Sequence, residues 1–233
     1  MPKFSDYLSE LTQQAEDKIK TKVDKSWAWY MERSKRLRKE ATNTPPPQRT
    51  DRIIAENKGM MLGTDQFPVL SMNDKNTMIG RMVLYNYDPK HKKTLPYYDI
   101  YPLVFPIKLD SKGFLGINLH YLPLSLRAQL MDALYTLINT KTIKETTRIK
   151  LSYNILNGAA KFSAFRPCVK RYLYPHVRSQ FLMVSPLEWD AVLMLPLQRF
   201  IKADQTTVWA DSRRMISSSK SKQQKRNTQG RFV

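Results

Sequence analysis

The chain has 233 residues, 39 of them Lys or Arg and 20 Asp or Glu, for a formal net charge of +19. Hydrophobic residues at 42% and aromatics at 11% suffice for a core, while a single cysteine, Cys168, excludes an internal disulfide framework. No apolar run nears the roughly 20 residues that span a bilayer, the first ten residues lack the apolar region of a signal peptide, and the 7 glycines form no phosphate loop, so a membrane anchor and a conventional nucleotide-binding enzyme are both disfavoured.

Phe4, Leu8, Leu11, Ala15, Ile19, Val23, Trp27 and Tyr30 fall at helical spacing, with Ser5 and Asp6 as N-cap candidates. The spacing predicts one amphipathic helix to about Ala41, a rod of roughly 55 Å. Its end is basic (Arg33, Lys35, Arg36, Arg38, Lys39), which suits the negative pole of the helix dipole, and Pro45-Pro46-Pro47 stops it. A lone apolar stripe must be covered, either by the body, by another copy or protein, or by a membrane surface. Arg52 to Gly63 reads as a short basic helix or a loop.

The central segment reads as strands. Gly80 to Tyr87 is apolar on both faces, as in a buried strand. A polar, basic loop follows from Asp88 to Lys93. Leu103 to Leu109 is a strand whose Pro102 and Pro106 place it at an edge or a bulge. Asp110-Ser111-Lys112-Gly113 is a hairpin turn, with glycine expected to supply positive φ. The returning strand carries Leu115, Ile117, Leu119 and Tyr121 on one face and Gly116, Asn118 and His120 on the other. Three tightly connected strands imply a small, strongly curved antiparallel sheet, of which an SH3-like unit is one form. Pro123 and Ser125 then open an amphipathic helix through Ile138.

The charge is concentrated after this point. Residues 1–140 hold 21 basic and 15 acidic side chains, whereas residues 141–233 hold 18 and 5. Such a bias favours a polyanion, because each neutralised phosphate releases condensed counterions. Leu151 to Phe162 reads as helix, with Asn157-Gly158 as a candidate end. Arg166 to Tyr174 interleaves cations with rings, as a strand-binding surface does; the competing reading is a basic helix with its aromatic side in the core. Phe181 to Val184 is a candidate strand, Pro186 to Leu195 a short helix, Pro196 to Ile201 extended chain, and Val208 to Ile216 one or two helical turns. Ser217 to Gly230 has no apolar period and is expected to be disordered until a partner orders it.

Catalytic signals are sparse. His91, His120 and His176 are far apart, Cys168 has no second cysteine, and no spacing matches a zinc, di-iron or calcium site. Neither GxSxG nor HExxH occurs. The nearest nuclease-like feature is Asp88-Pro89-Lys90 after a strand, with Asp74 as a conceivable second Mg²⁺ ligand. Asp-Pro is also an ordinary turn opener, and Asp99, Glu188 and Asp190 read as capping or surface carboxylates.

The ordered string is nonetheless specific. Tyr85 to Lys90, Thr94 to Asp99, Tyr101-Pro102-Leu103, Gly113 to Gly116, Asn118 to Pro123 and Leu130 to Leu134 resemble a segment of virion proteins of T-even-type myoviruses. Cys168 to Leu173, Glu188-Trp189, Leu195-Pro196 and Val208 to Arg213 continue the likeness, which runs over roughly residues 78–214. It most resembles the DNA end protector, or head-completion, family. That resemblance implies a minor structural protein at the terminus of the packaged genome, shielding the duplex end from exonuclease and permitting head–tail joining. It brings no catalytic residues and no cofactor.

The combined expectation is a non-enzymatic α+β chain, with a helical arm (1–44), a Pro-containing linker (45–66), an α+β core (67–201) and a basic tail (202–233). Arg166, Lys170, Arg171, Arg178, Arg213, Arg214, Lys220, Lys222, Lys225 and Arg226 are the candidate phosphate contacts. Tyr172, Tyr174 or Trp209 would stack on a terminal base pair, whose ring face is open only at an end. Expected partners are a double-stranded DNA end and other phage head, neck or tail proteins, with no membrane and with oligomerisation open. The expected location is the virion, after assembly in the host cytoplasm. Two other classes remain: a neck, connector or baseplate assembly protein without direct DNA contact, and a packaging-related nuclease.

Overall fold

The computed structural model describes residues 4–20, 69–70, 78–138, 144–161, 163–184 and 197–229, with Ala28, Met31, Glu32, Lys35, Trp189 and Val192 singly. Four helices belong to these residues: α1 (Phe4–Lys20), α2 (Leu124–Ile138), α3 (Glu145–Ala159) and α4 (Gln205–Gln229). The strands are β1 (Val69–Leu70), β2 (Met82–Leu84), β3 (Tyr98–Asp99), β4 (Leu103–Leu109), β5 (Gly113–Asn118), β6 (Val169–Leu173), β7 (Phe181–Val184) and β8 (Phe200–Ile201). The class is α+β, with a six-stranded antiparallel sheet ordered β1-β7-β2-β4-β5-β6 and a separate β3-β8 ribbon.

The central hairpin β4–β5 forms where the sequence predicts it, and the Pro106 irregularity is a bulge, since the register shifts between Pro106 and Lys108 while β4 stays central in the ladder. The sheet is wider than the three strands expected, because β6 and β7 come from the C-terminal half. It is also strongly curved. Between β2 and β6 lie β4 and β5, so a flat sheet would hold them about 14 Å apart. Yet the ring centroids of Tyr85, just after β2, and Tyr172 in β6 are 5.5 Å apart. Phe114 in β5 and Phe181 in β7, also three strands apart, meet at 5.8 Å. The sheet therefore curls until its concave face closes on its own aromatic side chains.

The other face is covered by helices. Met82, Leu84, Leu103, Phe105 and Ile117 point there, alternating with Val83, Val104 and Phe114 on the concave face. Helix α2 presents Ala128, Leu130, Met131 and Leu134, and α3 presents Leu151, Ile155 and Leu156. Helix α1 docks on the body of its own chain, burying Leu11, Ala15 and Ile19 at i, i+4, i+8. Burying Leu11 and Ile19 contributes about 1.5–3 kcal/mol each. Gln129 Nε2 donates to Ile19 O at 2.7 Å and Lys18 pairs with Asp132 at 2.8 Å, fixing α1 against α2.

Several expectations are corrected. The described N-terminal helix is 17 residues long rather than the long rod predicted, and its continuation to Ala41, like Arg52 to Gly63, lies almost wholly outside the described residues. The Pro186 to Leu195 segment lies outside them too, apart from Trp189 and Val192. The returning strand ends at Asn118, not Tyr121; Leu119–Tyr121 is a 3-10 turn, because the Asn118 side chain accepts from His120 N and redirects the backbone. Gly113 has no positive φ, which among the described glycines only Gly80 shows. Its need is steric: a Cβ there would lie 1.9 Å from Tyr172 O across the β5–β6 pair.

Two glycines thus make opposite predictions. Gly113→Ala is expected to destabilise by about 1–3 kcal/mol, the usual cost of overpacking. At Gly158, inside α3, a Cβ meets nothing within 4 Å. Gly158→Ala is expected to gain about 0.5–1 kcal/mol by helix propensity. Denaturant unfolding of both variants checks the pair.

Candidate nucleic-acid interface

Helix α4 carries six cations, Arg213, Arg214, Lys220, Lys222, Lys225 and Arg226, against one acid, Asp211. It starts at a built cap: Asp204 Oδ1 accepts from Thr207 N and from Thr206 Oγ1, both at 2.7 Å. Its first turns are anchored by buried Val208, Ser212 and Ile216 and by half-buried Trp209. Trp209 Nε1 donates to His120 O at 3.0 Å, and Ser212 Oγ to Tyr121 O at 2.7 Å. From α2, the buried Arg127 donates to Leu122 O at 2.8 Å and to His120 O at 3.1 Å, its guanidinium 5.1 Å from the Trp209 ring centroid.

After Ile216 the sequence has no apolar residue through Gln229, so the docking stripe ends there. The backbone nonetheless stays helical to Gln229, which corrects the expectation of a disordered segment from Ser217. The physical reason is nucleation. Capping and docking meet the cost of the first turns, and propagation continues because neither Gly nor Pro intervenes through Gln229.

The interleaved segment Arg166 to Tyr174 is neither an α-helix nor an open stacking surface. It is a 3-10 segment (Ser163–Cys168) followed by β6, an edge strand of the large sheet. Tyr172 points into the concave core, 5% exposed, with its ring stacked on Phe114 at 5.2 Å and its hydroxyl accepting from Asn118 Nδ2 at 2.9 Å. A ring held there presents no face to a base pair, so its assignment as a DNA-stacking residue is corrected. Tyr174 is buried against Phe114 as well.

The cations of this segment differ among themselves. Arg166 is exposed. Lys170 is half-buried, its ammonium 4.1 Å from the Tyr121 ring centroid, and burial pushes its pKa below the usual lysine range. Arg171 is exposed and pairs with Asp110 at 2.5 Å; Asp110 is held below the usual carboxylate range by the backbone N–H of Lys112 and then by Arg171. Arg178 reaches Asp88 at 3.4 Å. The structure thus brings Lys170, Trp209 and the first turn of α4 together around the 119–122 turn, and draws neither Arg171 nor Arg178 into that group. Arg213 and Arg214 are exposed on α4, Arg214 within 3.2 Å of Asp211. Lys220, Lys222, Lys225 and Arg226 follow along the same helix.

The nuclease-like triplet is engaged otherwise. Asp88 accepts from Lys92 at 2.9 Å and from Arg178, and the Lys92 hydrogen bond, with Arg178 adding, holds its carboxyl below the ordinary range. Asp74 lies outside the described residues, and among these no group of three His, Cys, Asp or Glu side chains is placed to hold a metal ion. Cys168 is buried with Sγ donating to Phe165 O at 2.7 Å, and burial pushes its thiol pKa far up, so it is not poised as a nucleophile.

Sequence reading missed the polar knot behind the turn. Asp99 Oδ2 lies 2.6 Å from His120 Nδ1 and 3.3 Å from Asn118 Nδ2, while Tyr101 N donates to Asp99 Oδ1 at 3.1 Å. All three polar side chains are buried. Their separation along the chain left no local signal.

A curved antiparallel sheet backed by helices, with cations on an edge strand and on a helix that outruns its docking stripe, defines an α+β protein of the polyanion-binding class. The comparisons narrow this. The model of the family described as Phage T4 terminal DNA protecting protein matches residues 66–213, and the chain belongs to that family. It is accordingly a bacteriophage DNA-binding protein of the end-protecting kind, associated with the virion. No curated protein and no solved structure matches the chain. The family match spans the sheet and the first turns of α4, and leaves α1 and most of the basic half of α4 outside it. Among the described residues no helix is long and apolar enough to cross a membrane.

The cap of α4 is testable by pH. Asp204 has its pKa lowered by the Thr207 N–H first and the Thr206 hydroxyl next. A depressed folded-state pKa gives stability that is present above the unfolded carboxylate value and lost as pH falls through the folded one. Asp204→Ala is therefore expected to lower Tm by about 2–4 °C at neutral pH. The difference should disappear in acid below the depressed pKa, in paired thermal scans.

Proposed function

We propose that the chain caps a duplex end of the packaged genome with the cations of α4 and its neighbours, excluding exonuclease by occupancy and leaving the head competent for tail joining. The observation that carries this reading is α4 itself. From Arg213 to Arg226 it bears six cations and no acid, on a helix whose last apolar residue is the buried Ile216. Family membership supports DNA ends as the target. Arg166, Arg213, Arg214, Lys220, Lys222, Lys225 and Arg226 are the first-choice phosphate contacts. Arg171 and Arg178 contribute once released from Asp110 and Asp88, and Lys170 supports the Tyr121 side of the surface. Trp209 is an anchor of α4 in this reading, because its N–H is bonded to His120 O and Arg127 lies over its ring. End preference then comes from steric capping rather than from stacking on a base pair.

On the same reading the protein is assembled in the host cytoplasm, meets other head, neck or tail proteins in the particle, and works there without catalysis. Filter binding to blunt linear and to circularised duplex of equal length, over a salt series, tests the proposal. The linear form is expected to bind more tightly, and with about 6–10 phosphate contacts affinity should fall by about 10³–10⁵ between roughly 50 and 200 mM salt. Equal affinity for both forms would remove the end-specific part. Absence of salt-dependent binding to either would leave the alternative, a neck, connector or baseplate protein whose cations meet carboxylates of its neighbours.

A further inference from the structure

The geometry points to a second DNA-contacting element, resting on the DNA-binding reading above: the basic turn at residues 89–95, held rigid by Lys202 as a phosphate-binding knuckle. Three short-range bonds wind this turn, Lys92 N to Pro89 O at 3.2 Å, Thr94 N to His91 O at 3.0 Å and Leu95 N to His91 O at 2.9 Å. They leave the carbonyls of Lys92, Lys93 and Leu95 converging on one point. Lys202 Nζ occupies it, donating to these three oxygens at 2.6, 2.9 and 3.0 Å. An ammonium has three N–H bonds, and this one uses all of them inward.

Stability alone does not account for Lys202. It is the one non-glycine with positive φ among the described residues, at 71°, a conformation that a Cβ disfavours. It also adds a cation beside a turn that already contains Lys90, Lys92 and Lys93. Backbone strain retained against such opposition marks a place where geometry is needed. What the clamp fixes is the outward face of the turn. Lys92 folds back on Asp88, whose charge it and Arg178 cancel. Lys90 and Lys93 remain exposed, with no side-chain partner among the described residues.

The knuckle is continuous with α4. Two residues after Lys202 stands Asp204, the cap of that helix, and Tyr97, just past the turn, has its pKa raised by burial first and then by the Asp211 carboxylate of α4, with Arg214 opposing. Two elements of one sign, joined through Lys202 and the Asp204 cap two residues later, suit a duplex backbone, whose phosphates repeat along a rigid path.

The test compares the full chain with Lys90→Gln/Lys93→Gln on a short blunt duplex over a salt series. Losing two phosphate contacts should reduce the slope of log K against log salt by about 1.8 and weaken low-salt binding by about tenfold or more, with Tm unchanged. An unchanged slope overturns the proposal. So does an unchanged slope accompanied by lost particle incorporation, which would assign the turn to an acidic protein. Lys202→Met alone should weaken DNA binding and add nothing in the Lys90→Gln/Lys93→Gln background. An equal further loss in both backgrounds would mean that Lys202 acts only through general stability, and would overturn its positioning role. If the unmodified chain shows no salt-dependent binding at all, the DNA-binding reading itself fails, which is a separate outcome.

Discussion

Three consecutive backbone carbonyls, those of His120, Tyr121 and Leu122, have no strand to pair with and lie inside the protein. Buried carbonyls must find donors, and each one left without costs about 1–3 kcal/mol. Here the donors come from two different helices: Arg127 of α2, and Trp209 and Ser212 of α4. The turn exists because Asn118 ends β5 by taking His120 N, while Asp99 holds the His120 ring. One bend at the end of a strand therefore knits the sheet, α2 and α4 together. It also sets the direction in which the basic helix leaves the body.

Electrostatics then divides the surface. Asp88, Asp110 and Asp211 each lie against an arginine, and Asp88 against Lys92 as well. These exposed pairs contribute little stability. Their effect is to cancel carboxylates around the sheet, which leaves positive charge uncompensated at sites such as Arg166, α4 and the turn clamped by Lys202. Beyond Asp211 the helix has no acid with which to form i,i+4 pairs through Gln229, and its cations repel one another. A polyanion relieves that repulsion, and the family to which the chain belongs supplies one at a genome end.

Period-two and helical patterns made much of the fold readable: β4, the Asp110–Gly113 turn, α2 and the buried stripe of α1 lie where spacing put them. Helix α3 was expected over Leu151 to Phe162 and instead runs Glu145–Ala159, starting six residues earlier. The errors have physical sources. Tyr172 looked like a stacking residue because alternating cations and rings have the same composition in a binding strand and in an edge strand with one face in the core. The curl of the sheet, which local sequence does not encode, placed the rings inside. Gly113 was read through turn chemistry when the constraint was the approach of a neighbouring strand. Ser217 to Gln229 was read through composition alone, which omits the help that a capped, docked first turn gives to the residues after it. At the candidate site the cations of α4 were legible as a charge excess. The clamp by Lys202 was not, since it joins residues more than a hundred positions apart in the chain.

The central claim is that the far half of α4 reaches DNA and thereby shields its end. The most direct measurement is the rate at which a processive exonuclease degrades linear duplex saturated with the chain, compared with a variant carrying Gln at Lys220, Lys222, Lys225 and Arg226. The account predicts slow degradation with the unmodified chain and near-unprotected rates with the variant at the same protein concentration. Equal protection by both would contradict it.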